Sequence, residues 1–299
     1  NKVLDNIVTD GLLLLFDSTT ATSYPRSGTD ILDLSGEAND GTLTNGVSFV
    51  EDSEALNFDG VNDYVDAGDV NPTTALTLSV WVKLDVIPSS QSSAYPQMMG
   101  KRDVDLQRAY FFSFQKSVNK VYWEIKDNAG TYHVLTSSKN SWNTTEWYCI
   151  DVTFKGSTGL AEIYINGELD NSTTWSLSYV PQTTATCRIG GGNYWLDGKI
   201  STAKIYDKQL SAAEIKQNYF QGPITTDYIT YAFDASNLVS FEPGETSVYS
   251  LSGSLGAASD GTLGNGVGFS DIANGNWVFD GVDDKLTLAA NINLGNGNV

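Results

Sequence analysis

Leu76-Thr77-Leu78-Ser79-Val80-Trp81-Val82-Lys83 alternates with a period of two. Successive side chains of an extended chain point to opposite faces, so this spacing predicts a strand with Leu76, Leu78, Val80 and Val82 on its core side. Tyr148, Ile150, Val152 and Phe154 repeat the pattern around Cys149, Asp151 and Thr153. Ala161–Ile165 followed by Asn166-Gly167 reads as a strand entering a tight hairpin, because Asn-Gly supplies the positive φ angles of a type I′ turn. Arg188-Ile189, which runs into three glycines, and Lys199–Tyr206 are further strand candidates. One helix is expected. Ser211-Ala212-Ala213-Glu214 is a capping box, Ile215, Tyr219 and Phe220 give it a partial apolar face, and Gly222-Pro223 stops it. Many strands, Asn/Gly turns and one short C-terminal helix predict an all-β fold, an antiparallel β-sandwich of the jelly-roll type.

The chain also repeats itself. Phe16-Asp17 recurs as Phe233-Asp234, and Leu34-Ser35-Gly36 as Leu251-Ser252-Gly253. The block from Asp40-Gly41-Thr42-Leu43 to Phe49 recurs from Asp260-Gly261-Thr262-Leu263 to Phe269, and Phe58-Asp59-Gly60-Val61-Asn62-Asp63 recurs as Phe279-Asp280-Gly281-Val282-Asp283-Asp284. Four blocks in one order, with offsets of 217 to 221, define a unit of about 220 residues. The expected organisation is a complete jelly roll at 1–221, a linker at 222–226, and the N-terminal portion of a second jelly roll at 227–299, incomplete within this chain. The opening Asn1-Lys2-Val3 lacks an initiator Met and a basic-then-apolar leader, as expected for a piece of a longer protein.

Composition narrows the function. Lys and Arg number 17 against 36 Asp and Glu, a formal charge of −19, which repels phosphate backbones and argues against nucleic-acid binding. The longest clean apolar run, Leu12–Phe16, is far short of the roughly 20 residues of a membrane span. Two cysteines and one histidine argue against a zinc site or a disulfide scaffold, and Cys149 and Cys187 fall on opposite strand faces, against a bridge between them.

Taken together these motifs resemble the laminin-G-like, concanavalin A-like jelly roll. The resemblance rests on Asp33-Leu34-Ser35-Gly36 through Leu43, Phe58-Asp59-Gly60-Val61-Asn62-Asp63-Tyr64-Val65, Leu78–Lys83, Trp147–Phe154, Ile163–Gly167, Leu196-Asp197-Gly198-Lys199-Ile200 and Ile205–Ser211, seven segments in the family order. The stretch from Thr22 to Gly36 resembles modules of phage virion proteins and large bacterial surface proteins. One departure is the pair after Gly198-Lys199-Ile200: the family usually carries two acids there, and this chain has Ser201 and Thr202.

The related glucanases carry a Glu-x-Asp-x-x-Glu strand. No such string exists here, His133 has no nucleophile-elbow pentapeptide, and no catalytic residue is expected. Carboxylates in Gly/Asn-rich loops offer hard oxygen donors of the kind Ca²⁺ takes six to eight at a time. The candidates are Asp59, Asp63, Asp40 and Asp17, with Asp280, Asp284, Asp260 and Asp234 in the second copy; the resemblance implies a structural Ca²⁺, while the turn chemistry equally allows these Asp residues to cap backbone amides. Trp81, Tyr194, Trp195 and Trp142 are the candidate sugar-stacking aromatics, with core packing as the competing role, as for Trp175. The resemblance thus implies a non-enzymatic phage virion structural protein, a head- or tail-associated fibre or decoration for display and weak attachment to host-surface glycans. Its expected partners are other virion proteins or copies of itself, without nucleic acid or a membrane span. The alternatives are a bacterial cell-surface adhesin and the carbohydrate-binding module of a larger enzyme.

Overall fold

The computed structural model describes residues 7–102 and 108–220 and five later strand segments, 247–248, 261–264, 268–270, 276–278 and 285–288. The chain divides into two compact units, Asn1–Pro223 and Ile224–Val299. In the first, the strands are β1 (Leu12–Asp17), β2 (Asp30–Ile31), β3 (Gly41–Thr44), β4 (Ser48–Val50), β5 (Ala55–Asp59), β6 (Tyr64–Asp66), β7 (Ala75–Leu84) and β8 (Gln97–Arg102). They continue as β9 (Arg108–Gln115), β10 (Lys120–Lys126), β11 (Tyr132–Thr136), β12 (Trp147–Lys155), β13 (Leu160–Ile165), β14 (Glu168–Thr174), β15 (Cys187–Ile189) and β16 (Asp197–Tyr206), and α1 (Ala212–Phe220) follows. One eight-stranded sheet runs β14-β13-β12-β7-β16-β5-β4, with β1 also on β16; the other runs β11-β10-β9-β8-β15-β6-β3-β2. All described pairs are antiparallel, and the two sheets face each other across one core, the expected sandwich.

The alternation in β7 and β12 sets the register of that core. Ile150 lies opposite Val80, Val152 opposite Leu78 and Phe154 opposite Leu76, and all six are fully buried. At about 1.5–3 kcal/mol per buried side chain, a one-residue slip that turned this face outward would be prohibitive. The hairpin turn is as the sequence predicts, with Asn166 at φ 53° and Gly167 at φ 78° between β13 and β14. The capping box also forms: the Ser211 amide donates to Glu214 Oε2 at 2.8 Å and the Glu214 amide to Ser211 Oγ at 3.3 Å.

The second face of β7 departs from the half-buried strand that the alternation predicts, because Thr77, Ser79 and Trp81 are buried too. Their cover is the chain around α1 and the N-terminal segment, which close a small second core of Ile7, Val8, Leu12, Leu15, Tyr164, Tyr206, Leu210 and Ile215. The polar members are matched within it: Thr77 Oγ1 donates to the Lys208 carbonyl at 2.7 Å and accepts the Leu210 amide at 3.0 Å.

The second unit contains β17 (Ser247–Val248), β18 (Gly261–Gly264), β19 (Gly268–Ser270), β20 (Asn276–Val278) and β21 (Lys285–Leu288). Its ladders repeat those of the first unit residue for residue. Phe269 faces Trp277 as Phe49 faces Leu56, Leu263 faces Leu286 as Leu43 faces Val65, and Val248 faces Gly261 as Ile31 faces Gly41. The proposed linker 222–226 lies outside the described residues.

Candidate functional site

Strands β8, β9 and β10 build a pocket on the face of the second sheet turned away from the core. Tyr110, Phe112, Phe114, Val121, Trp123 and Ile125 point inward and join the core. The residues between them, Phe111, Tyr122 and Glu124, therefore face outward. Phe111 lies opposite both Glu124 and Gly100. A Cβ on Gly100 would come within 3.2 Å of the Phe111 ring, so the glycine leaves that ring its place. Loops add Tyr95, whose ring meets Tyr122 at 5.0 Å and Tyr194 at 5.5 Å, both edge to face. With Arg102, Arg108 and Tyr132 these residues enclose a cavity of about 220 Å³.

The charges in the pocket are held by aromatic faces and by one acid. The Arg102 guanidinium lies 4.6 Å from the Phe111 ring centre and 4.9 Å from that of Tyr194, a cation between two π faces. Burial, and then the charge of Arg108, pull its pKa below the usual guanidinium range. Arg108 lies over Tyr132 at 5.5 Å, and its Nη1 is 3.5 Å from Glu124 Oε1. Tyr122 Oη donates to Glu124 Oε2 at 2.6 Å, and burial followed by that bond pushes the phenol well above its ordinary pKa.

Of the four aromatics chosen from sequence, only Tyr194 lines this pocket. Trp81 is buried, its ring stacked on Tyr219 of α1 at 5.5 Å and 8°, so no face is open to a sugar. Trp142 is wedged edge-on between Phe114 and Tyr148 and donates Nε1 to the Asn119 carbonyl at 2.9 Å, which makes it a packing residue. Trp195 is half-buried beside Tyr64 at 6.3 Å and is not part of the lining. Trp175 packs on Phe154 and Trp123 in the core. Sequence pattern alone does not single out Tyr95, Arg102, Arg108, Phe111, Tyr122 or Tyr132. The signal for part of the set was present in Val121-Tyr122-Trp123-Glu124-Ile125, where aromatic and acid alternate with core residues.

The acidic candidates do not form one ligand set. Among the described residues no three His, Cys, Asp or Glu side chains group as a metal site. Asp17 Oδ1 caps Thr19, accepting its amide at 3.0 Å and its hydroxyl at 2.7 Å, and Asp40 Oδ1 accepts the Asp33 amide at 2.8 Å. Each thus has one oxygen engaged on a backbone amide. Asp63 Oδ2 accepts the Asp59 amide at 3.2 Å, and Asp59 Oδ1 accepts the Val61 amide at 2.8 Å. Asp63 is buried and its Oδ1 has no hydrogen-bond partner, an orphan oxygen that suits a cation. Burial and the Asp59 charge raise its pKa. Asp234, Asp260, Asp280 and Asp284 lie outside the described residues. Cys149 and Cys187 are both buried free thiols, and no described helix is long and apolar enough to cross a membrane.

Comparison with known proteins agrees with this architecture. No curated protein sequence matches the chain. Among solved structures, the binding domain of Paraclostridial Mosquitocidal Protein 1 is similar at 16% identity and a TM-score of 0.56, over 71% of this chain and 52% of that one, so the chain spans about half its length. The ligand-binding domain of botulinum neurotoxin serotype D, in complex with N-acetylneuraminic acid, is similar at 16% identity and 0.57, over 86% and 66%. Domain 4 of AbnA, a GH43 extracellular arabinanase from Geobacillus stearothermophilus, in complex with arabinotriose, is similar at 16% identity and 0.52, over 69% and 96%. At such identity these likenesses establish the fold. A laminin-G family profile, described as the concanavalin A-like lectin/glucanases superfamily, matches residues 59–216, more than half of the sequence. This chain belongs to that family.

Proposed function

We propose that the chain is a non-enzymatic glycan-binding module displayed on an outer surface, and that the pocket on β8, β9 and β10 is its binding site. The observation that carries this reading is the pocket itself, five aromatic rings around a cavity of about 220 Å³ with two guanidiniums and a carboxylate at its wall. Sugars offer C–H faces that stack on rings and hydroxyls that need fixed donors and acceptors, and the pocket supplies both. The likeness to domains solved with N-acetylneuraminic acid and with arabinotriose supports the reading.

The setting follows from the resemblance of the Thr22–Gly36 stretch: a phage virion fibre or decoration, with other virion proteins or further copies as structural partners and a host-surface glycan as target. A bacterial cell-surface adhesin is the rival placement. Weak single sites suit either, because several modules on one particle multiply avidity. The repeated ladder registers support reading 227–299 as the early part of a second such module. A structural Ca²⁺ at Asp59 and Asp63 belongs to the same proposal, supported by the orphan Asp63 oxygen.

The chemistry of the pocket supports binding over hydrolysis. Retaining glycosidases need two carboxyls about 5–5.5 Å apart, and the described lining brings one, Glu124. The Tyr122–Glu124 bond has the form of a phenol nucleophile with its base, as in sialidases. The raised phenol pKa opposes the phenolate that this chemistry requires.

The test is a glycan array probed with the full chain and with Phe111→Ala and Tyr122→Ala variants whose circular dichroism matches the parent. Binding by the parent that both variants lose supports the reading. Equal binding by parent and variants overturns the choice of pocket, and protein-dependent release of free sugar overturns the non-enzymatic assignment.

A further inference from the structure

Two cations share this pocket with one anion in a protein whose formal charge is −19. Acidic surfaces are the rule for this chain, so a site with a local excess of one positive charge among its described lining residues stands apart. Arg102 is only 5% exposed, and its Nε has no hydrogen-bond partner. Arg108 Nε is likewise without one, and the Arg108–Glu124 contact at 3.5 Å is an ion pair too long for a strong hydrogen bond. Both Nε atoms are sealed from solvent, and an unmet donor there costs about 1–3 kcal/mol and more when charged; an incoming acceptor meets the parts of the two arginines that line the cavity.

The alternative, that Arg102 is there only to pack, accounts for its place between Phe111 and Tyr194 but not for the second arginine. After burial, the charge of Arg108 is the largest influence disfavouring protonated Arg102, so two like charges stand together in this pocket. An arriving anion offsets that repulsion, and a neutral sugar hydroxyl does not. The planar guanidinium, clamped between rings, matches the two oxygens of a carboxylate in geometry as well as in charge. The cavity is smaller than the roughly 300–1,000 Å³ of sites that enclose drug-sized ligands, so it takes one ring rather than a chain.

We propose that this pocket selects a sugar carrying a carboxylate, a sialic or uronic acid residue, with Arg102 and Arg108 on the carboxylate and Phe111, Tyr122 and Tyr194 around the ring. The proposal rests on the glycan-binding reading and narrows its ligand class.

Isothermal titration of the full chain separates the two. The probes are the methyl glycosides of N-acetylneuraminic acid and glucuronic acid, methyl glucoside as the neutral counterpart of the latter, and N-acetylglucosamine 6-sulfate. The expected result is binding of at least one carboxylated sugar tenfold or more above methyl glucoside and above the sulfated sugar. Arg102→Gln and Arg108→Gln each reduce it tenfold or more, with Arg108→Gln as the safer variant for folding because Arg108 is less buried. Equal affinity for neutral and carboxylated sugars overturns the acid preference and leaves the glycan-binding reading standing. Preference for the sulfated sugar overturns the carboxylate and keeps an anion site. Binding of none of the probes overturns this proposal, and only an empty glycan array as well overturns the reading on which it rests.

Discussion

Asp151 is fully buried beneath α1, and its replacement by asparagine tests the electrostatics of the second core. Its neighbours across the ladder are Ser79 and Tyr164; Cys149 Sγ lies 3.5 Å from Oδ2, Oδ1 has no hydrogen-bond partner, and the buried Lys204 contributes a favourable charge. Burial outweighs these partners and pushes the Asp151 pKa up to about 6. An unfolded aspartate titrates near ~3.9, so between the two values the native state holds a proton that the unfolded state has released. Stability therefore falls as pH rises through this window and levels off above the native pKa. At about 1.4 kcal/mol per pH unit, a gap of about two units is worth roughly 3 kcal/mol, of which about 2 kcal/mol is lost between pH 4 and pH 7. Asp151→Asn copies the protonated shape without titrating. Urea unfolding of parent and variant across this range should show the variant gaining about 2 kcal/mol relative to the parent by pH 7, with other acids cancelling in the comparison. Parallel pH profiles for the two proteins would refute the reasoning, because a group of unshifted pKa contributes nothing to the slope.

Removal of calcium by chelator should lower the melting temperature and added Ca²⁺ restore it, with the difference abolished in Asp63→Asn; equal melting in both conditions would remove the ion from the description. Gly190 sits at φ 78°, and a Cβ there would lie 2.2 Å from the Phe58 ring, so Gly190→Ala should cost roughly 2–4 kcal/mol from backbone strain plus overpacking, read as a lower urea midpoint. Ser211→Ala removes one half of the capping box and should cost about 1 kcal/mol, with faster amide exchange in the first turn of α1.

The period of two exposed the strands, and one pair of residues exposed the hairpin, because these are local properties. Alternation within β7 turns Trp81 outward but does not encode its cover, which comes from Tyr219. Cys149 and Asp151 escaped in the same way, as residues on a nominally outer face that a distant helix buries. In the pocket, Tyr110-Phe111-Phe112-Ser113-Phe114 hides its own alternation, since aromatic residues occupy both faces of β9. Tyr95 and Tyr194 meet only because loops far apart in sequence end above the same strands. Acidic turn residues looked like ligands because Asp serves amides and cations with the same oxygens, and only the unfilled Asp63 Oδ1 distinguishes one from the rest.

The strand order carries a consequence for how the chain is made. β15 lies between β8 and β6, and β16 between β7 and β5, so each sheet is closed in its middle by its last strand. Ile189 meets Val65 and Ile200 meets Leu56, partners more than 120 residues apart. At a synthesis rate of about 5–20 residues per second, the early strands wait for roughly 6 to 29 seconds with two open slots. Such a topology folds slowly, since long loops must close before the central pairings repay them. During that interval a late strand from another nascent chain fits the same slot in the same register. Emergence of one chain at a time favours the intramolecular closure, whereas refolding from denaturant at high concentration should yield strand-exchanged dimers.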